Sequence, residues 1–252
     1  MRCVRVIRAI WIAAGTLTCG MNLAMADQVA DADNWSTGAS GAAAEKYLYF
    51  SGFDLWRSGG TAYGGMLWSP GGLNNDGFTL KLLLAGGTYL YRSGMGDIRG
   101  RYLLGSVMPG WRIKRGDLEI KVFGGLDLQH HETSPDDPGN RLRGDHAGAR
   151  FNAEVWWEPI PAKLMVSTSF TGSTAGDNYG VRAATGWRVI DQFWAGPEVE
   201  TSGDQVYRQY RVGAHVTSYK IGDFEWAVGA GYVEDNSQRS GLYGRFSLLT
   251  RQ

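Results

Sequence analysis

From Leu118 to Gln129 the residues fall into two alternating sets. Leu118, Ile120, Val122, Gly124, Leu126 and Leu128 make one; Glu119, Lys121, Phe123, Gly125, Asp127 and Gln129 make the other. Side chains of a strand point alternately to opposite faces, so this stretch predicts a ribbon with one apolar and one polar wall. Its length is about that of a tilted strand crossing a bilayer.

The same pattern recurs along the chain, divided by turn residues. Strands are predicted over Lys46 to Trp56, Thr61 to Trp68, Gly77 to Tyr91 and Ile98 to Ile113, where Pro109 predicts a bulge or an edge. Beyond the Leu118 stretch, alternation marks Arg150 to Trp157, Leu164 to Phe170, Val181 to Arg188 and Phe193 to Glu200. Gln209 to Val216, Phe224 to Tyr232 and Leu242 to Leu248 complete twelve strands. Connections after even-numbered strands are mostly short, and those after odd-numbered ones mostly longer and more polar. The longest irregular segment runs from His130 to Asp145. Short inner turns and longer outer loops on an even strand count are those of an up-and-down outer-membrane barrel, whose closure leaves no unpaired edge. Tyr89, Tyr91, Trp157, Trp187, Phe224 and Tyr232, near strand ends, are expected in interfacial girdles. A soluble β-sandwich uses the same alternation and is the competing fold.

The N-terminus supports export. Arg2, Arg5 and Arg8 precede an apolar run from Ala9 to Leu17, and Ala24-Met25-Ala26 offers small residues for cleavage. Residues 1–26 thus read as a secretory signal, 27–45 as a flexible lead-in and 46–252 as the barrel. Cleavage removes three of 25 basic residues and none of 25 acidic ones, leaving a net charge near −3 and no basic patch of nucleic-acid type. Both cysteines, Cys3 and Cys19, go with it, so disulfide and thiol chemistry are excluded from the mature chain. Glycine is rich at 37 of 252 residues, with 10 Trp and 12 Tyr, a composition that suits a barrel built of close-packed strands.

Charged residues on the inward set are candidates for contact with a polysaccharide: Glu119, Lys121, Asp127, Gln129, Arg150, Glu154, Arg182, Arg188, Arg211 and His215. Carboxylates and amides bond sugar hydroxyls, and aromatic faces stack on pyranose rings. The plainer reading is that these charges neutralise one another inside the barrel. His131, Asp136, Asp137 and Asn140 are the outer-loop candidates. His130, His131 and His146 flank that loop without a recurring ligand spacing, so no metal or other cofactor is expected. Asp136-Asp137-Pro138-Gly139-Asn140 is a turn series by composition. A glycosidase needs two paired carboxylates, and nothing in the sequence pairs two of Glu154, Glu198, Glu200 and Glu225. A Ser–His hydrolase needs a serine beside His215, with Ser167 and Ser169 far from it in the chain and no elbow motif around them.

Tyr47 to Trp56, Arg101 to Gln129 with Val107-Met108-Pro109-Gly110-Trp111, and the Asp136 to Asn140 loop followed by Gly144, Gly148, Glu154 and Trp157 resemble the BcsS-type cellulose biosynthesis proteins of alphaproteobacteria. The resemblance covers most of the mature chain. It implies an exported, non-catalytic outer-membrane component of a bacterial cellulose system, with cellulose or a related polysaccharide, membrane lipid and subunits of the synthase complex as partners. It supplies no catalytic residues. The alternatives are an outer-membrane enzyme acting on lipid or glycan, and a general porin or adhesin.

Overall fold

The computed structural model describes residues 45–94, 96–204 and 207–252. The expected signal and all but Glu45 of the expected lead-in lie outside the described residues. Twelve strands follow in order: β1 (Tyr47–Trp56), β2 (Gly59–Trp68), β3 (Gly77–Ser93), β4 (Gly96–Arg115), β5 (Leu118–Ser134) and β6 (Gly144–Ile160) form the first half. β7 (Leu164–Ser173), β8 (Asn178–Val189), β9 (Phe193–Gly203), β10 (Arg208–Ile221), β11 (Phe224–Asp235) and β12 (Ser240–Arg251) form the second. Each strand pairs antiparallel with its neighbours in sequence, and β1 pairs with β12 to close the barrel. The soluble sandwich is thereby excluded.

Alternation sets the wall. In β5, Glu119, Lys121, Phe123, Asp127 and Gln129 are buried in the interior, while Val122, Leu126 and Leu128 are bare on the outside. Large apolar side chains are exposed on every strand but β2, including Phe53, Leu84, Trp111, Trp157, Trp187, Val212 and Val228. In water such a surface is an aggregation liability; against acyl chains it is the favourable face. One bulge flips a strand's parity. Between Val216 and Tyr219 the β10 register shifts, Ser218 takes φ 62°, and the outward set passes from even to odd numbers, ending with Tyr219 and Ile221.

Several expectations are corrected. Pro109 makes neither a bulge nor an edge, because the β4–β5 ladder resumes at Gly110 in unchanged register. Tyr89 and Tyr91 are buried inside the barrel, whereas Trp157, Trp187, Phe224 and Tyr232 are exposed as a girdle requires. The outer connections are short, two to four residues, except the one between β5 and β6. That loop spans only residues 135–143, because β5 and β6 continue as paired strands through most of the segment expected to be irregular. β3 to β6 are 17 to 20 residues long, the other strands 10 to 14, so this third of the wall rises above the rest.

Candidate functional site

The interior is packed, not hollow. Near the end carrying the termini, the connection 69–76 folds inward: Leu73 is fully buried, and its carbonyl accepts from the guanidinium of Arg112. Arg112 also lies 3.4 Å from Glu119, which is 3.6 Å from Lys121. Above them Glu154 accepts from Lys81 at 2.8 Å and from Lys121 at 3.1 Å. Lys81 donates to Asn152 as well, and its ammonium lies over the ring of Phe123 at 5.3 Å.

A second network fills the opposite side. Asp54 accepts from Arg211 at 2.7 Å and from Arg245 at 3.1 Å. Glu200 pairs with both of those arginines, and Glu198 accepts from Arg182 and from the Tyr243 hydroxyl at 2.6 Å. A third layer centres on Asp127, which accepts from Arg150 at 2.9 Å, Ser106 at 2.6 Å, Gln129 at 2.7 Å and the Ser173 hydroxyl. Opposite charges interleaved this way meet the requirement that buried ions be paired and hydrogen-bonded.

The outer mouth is capped by the 135–143 loop. The Tyr91 hydroxyl donates to Asp137 at 2.8 Å and accepts from Asn140 at 2.7 Å, while Leu142 is buried beneath. His131 is not a loop residue as expected: it lies on β5, buried, stacked on Tyr102, with its Nε2 3.0 Å from the side-chain oxygen of Gln129. Asp136 alone of the outer-loop candidates is exposed, paired with Arg143 at 2.9 Å.

The ten luminal candidates therefore divide among several clusters. Glu119, Lys121 and Glu154 share one, Asp127, Gln129 and Arg150 another, and Arg182 and Arg211 belong to the Glu198–Glu200 side. Arg188 stands apart, half-buried with its guanidinium 5.0 Å from the ring of Trp194. His215 donates its Nε2–H to the Thr185 carbonyl, 3.2 Å away, and lines a cavity of about 20 Å³ together with Ser167, Arg182, Glu198 and Arg245. That space has room for about one water. Among the described residues, no three His, Asp or Glu side chains converge as metal ligands.

Sequence reasoning missed Asp54, Lys81, Arg112 and Arg245 as partners in these networks. Their signal was positional. Asp54 sits between Phe53 and Leu55, and Lys81 between Leu80 and Leu82, each a lone charge in an apolar run and on the inward parity.

A closed antiparallel barrel with an apolar outer wall and a charged, side-chain-filled interior is an outer-membrane β-barrel. The chain belongs to a family within that class: the family described as "Cellulose biosynthesis protein BcsS" matches residues 48–252. Membership connects it to cellulose biosynthesis. No curated protein matches the chain. Among solved structures, the transport unit of the autotransporter AIDA-I from Escherichia coli is 10% identical, with 89% of this chain and 95% of that one covered and a TM-score of 0.48. LpxR from Salmonella typhimurium is 11% identical over 81% of this chain and 99% of that one, TM-score 0.48. The KdgM porin is 12% identical over 81% and 98%, TM-score 0.41.

Proposed function

We propose that this barrel is a non-catalytic accessory of cellulose production that fixes the glucan at the outer face of the membrane. What carries the reading is the filled lumen. A glucan chain needs a continuous passage wider than a pyranose ring, and the space beside Arg182, Glu198 and His215 admits one water. On this reading the luminal candidates from Glu119 to His215 act on the polymer indirectly, by holding a rigid platform. Direct contact falls to the raised rim of β5, β6 and their loop, where Glu132, Asp136, Arg141, Arg143 and Asp145 are exposed. Clustered charged groups of this kind bond sugar hydroxyls without chemistry.

Deleting the gene and measuring dye-binding cellulose on cells and in the medium tests the proposal. The expected result is a shift of cellulose from the cell surface to the medium at similar total. Unchanged surface cellulose overturns it.

One observation supports an enzymatic second reading. Ser167 and His215, distant in sequence, line the same cavity beside Glu198. A hydrolytic activity on lipid or glycan abolished by His215→Ala would promote it.

A further inference from the structure

The outer wall of β3 to β6 carries a groove that the interior chemistry leaves unused. It encloses about 460 Å³ between Leu84, Leu103 and Leu128, over Gly105 and Ala147, and ends against His130 and Asp145. Gly105 has no packing reason to be glycine. A Cβ added there meets nothing within 4 Å, whereas one at Gly110 or Gly125 on the adjoining ladder collides with Phe123 or with the backbone of Met108. The missing side chain leaves depth in the wall.

The apolar outward positions on this face stop at one level. On β4 they run from Ile113 to Leu103 and on β5 from Leu118 to Leu128, about the length needed to cross the hydrocarbon. The next outward positions are Arg101 and Arg99 on β4 and His130 on β5, at the headgroup level of the outer leaflet. Both arginines are exposed and make no ion pair among the described residues. The carboxylates nearby have partners: Asp97 pairs with Arg92 at 3.2 Å, Asp145 with His130 at 2.6 Å, and Glu132, which faces Arg101 in the ladder, lies 3.5 Å from His130. Two arginines on one strand face, two residues apart, stand about 7 Å from one another. Guanidinium groups at that spacing bind phosphate oxygens bidentately.

We infer that this groove is a docking site for a phosphorylated, multiply acylated glycolipid of the outer leaflet, of the lipid A type. An acyl chain lies along Gly105 between Leu84, Leu103 and Leu128, and a phosphate is held by Arg99 and Arg101. The site does not rest on the glucan reading, since Arg99, Arg101, Leu84, Leu103 and Leu128 are none of the rim residues assigned to the glucan.

Purified full-length protein, stripped of lipid in detergent and titrated with lipid A, tests the site by native mass spectrometry. Phosphatidylglycerol, which shares the phosphate and acyl chains, is the comparison. Lipid A is expected to bind at least tenfold more tightly. The double variant R99Q/R101Q is expected to lose about tenfold in affinity for lipid A, the worth of one charge-assisted hydrogen bond. Gly105→Phe, which fills the groove and leaves the charges intact, is expected to lower it similarly. Both variants keep the gel mobility of a folded barrel, because neither residue set packs inside it. Equal binding of the two lipids by the unaltered protein overturns the inference, as does undiminished binding of lipid A by R99Q/R101Q.

Discussion

The Lys81 ammonium lies 2.8 Å from a carboxylate oxygen of Glu154, although β3 and β6 are separated in the wall by β4 and β5. The pair thus spans the lumen, with side chains 1% and 0% exposed. Glu154 is shared with Lys121, so the two lysines depend on it unequally. In Glu154→Gln both ammonium groups lose their common counter-ion, leaving Lys121 only Glu119 and Lys81 only the amide of Asn152 among the partners described above. Removing one partner of a buried pair costs about 3–5 kcal/mol. Lys81→Met leaves Glu154 paired with Lys121 and is expected to cost clearly less. Urea unfolding, followed by the gel mobility of unheated samples, orders the two variants; the reverse order contradicts the network described.

How much of this was legible in the sequence follows from the range of each signal. Strand number and facing are local: the period of two in Leu118 to Gln129 is written in consecutive residues, and the structure keeps it. Tyr89 and Tyr91 were misplaced although they share the odd parity of Thr79 and Lys81, which already pointed inward. The upper parts of β5 and β6 read as loop because above the membrane neither face has to be apolar, so His130 to Glu132 and Asp145 to Ala149 lose the contrast on which the period depends. Partners such as Lys81 and Glu154, or Asp54 and Arg245, were illegible for another reason. They meet only after β1 and β12 close the barrel, and the closing register is a property of the whole sheet.

Gly100 on β4 lies directly beneath the ring of Tyr89 on β3, its partner in the ladder. A Cβ at Gly100 overlaps that ring, and the ring has little room to move, packed against Tyr91, Tyr102 and His131. Gly100→Val is expected to destabilise the barrel by about 1–3 kcal/mol through overpacking. Gly105→Val on the same strand, where a Cβ meets nothing, is expected to stay within about 0.5 kcal/mol. Denaturant midpoints of the two variants read the difference; equal effects mean that Tyr89 does not occupy the hollow at Gly100.

At the end of the barrel that carries the termini, Asp76 accepts from the side chain of Arg115 and, at 2.6 Å, from the backbone N–H of Lys114. The Arg115 hydrogen bond first, and the Lys114 amide second, hold its pKa below the ordinary 3.8. A depressed carboxylate contributes stability that is present above the unfolded value and lost as pH falls through the folded one. The connection 69–76 is therefore expected to stay docked on β4 above pH 3.8 and to loosen below it. The carboxyl NMR titration of Asp76 gives a midpoint below 3.8, rising towards that value in Arg115→Gln. A midpoint unaffected by the substitution removes Arg115 as the cause.

Closure of the lumen predicts an electrical result. The Tyr91 hydroxyl ties down Asp137 and Asn140 at the outer mouth, and the Asp127–Arg150 pair forms a further barrier below it. Tyr91→Phe removes only the upper tie, so in planar bilayers both it and the unaltered protein are expected to pass no steady current. Asp127→Ser with Arg150→Ser removes both ions of the deeper pair together, which strands no charge and empties the volume of a guanidinium. Small discrete current steps are expected from that double variant alone. A steady conductance in the unaltered protein, blocked by cello-oligosaccharides, would instead make the lumen a sugar path and reverse the assignment of the glucan to the outer rim.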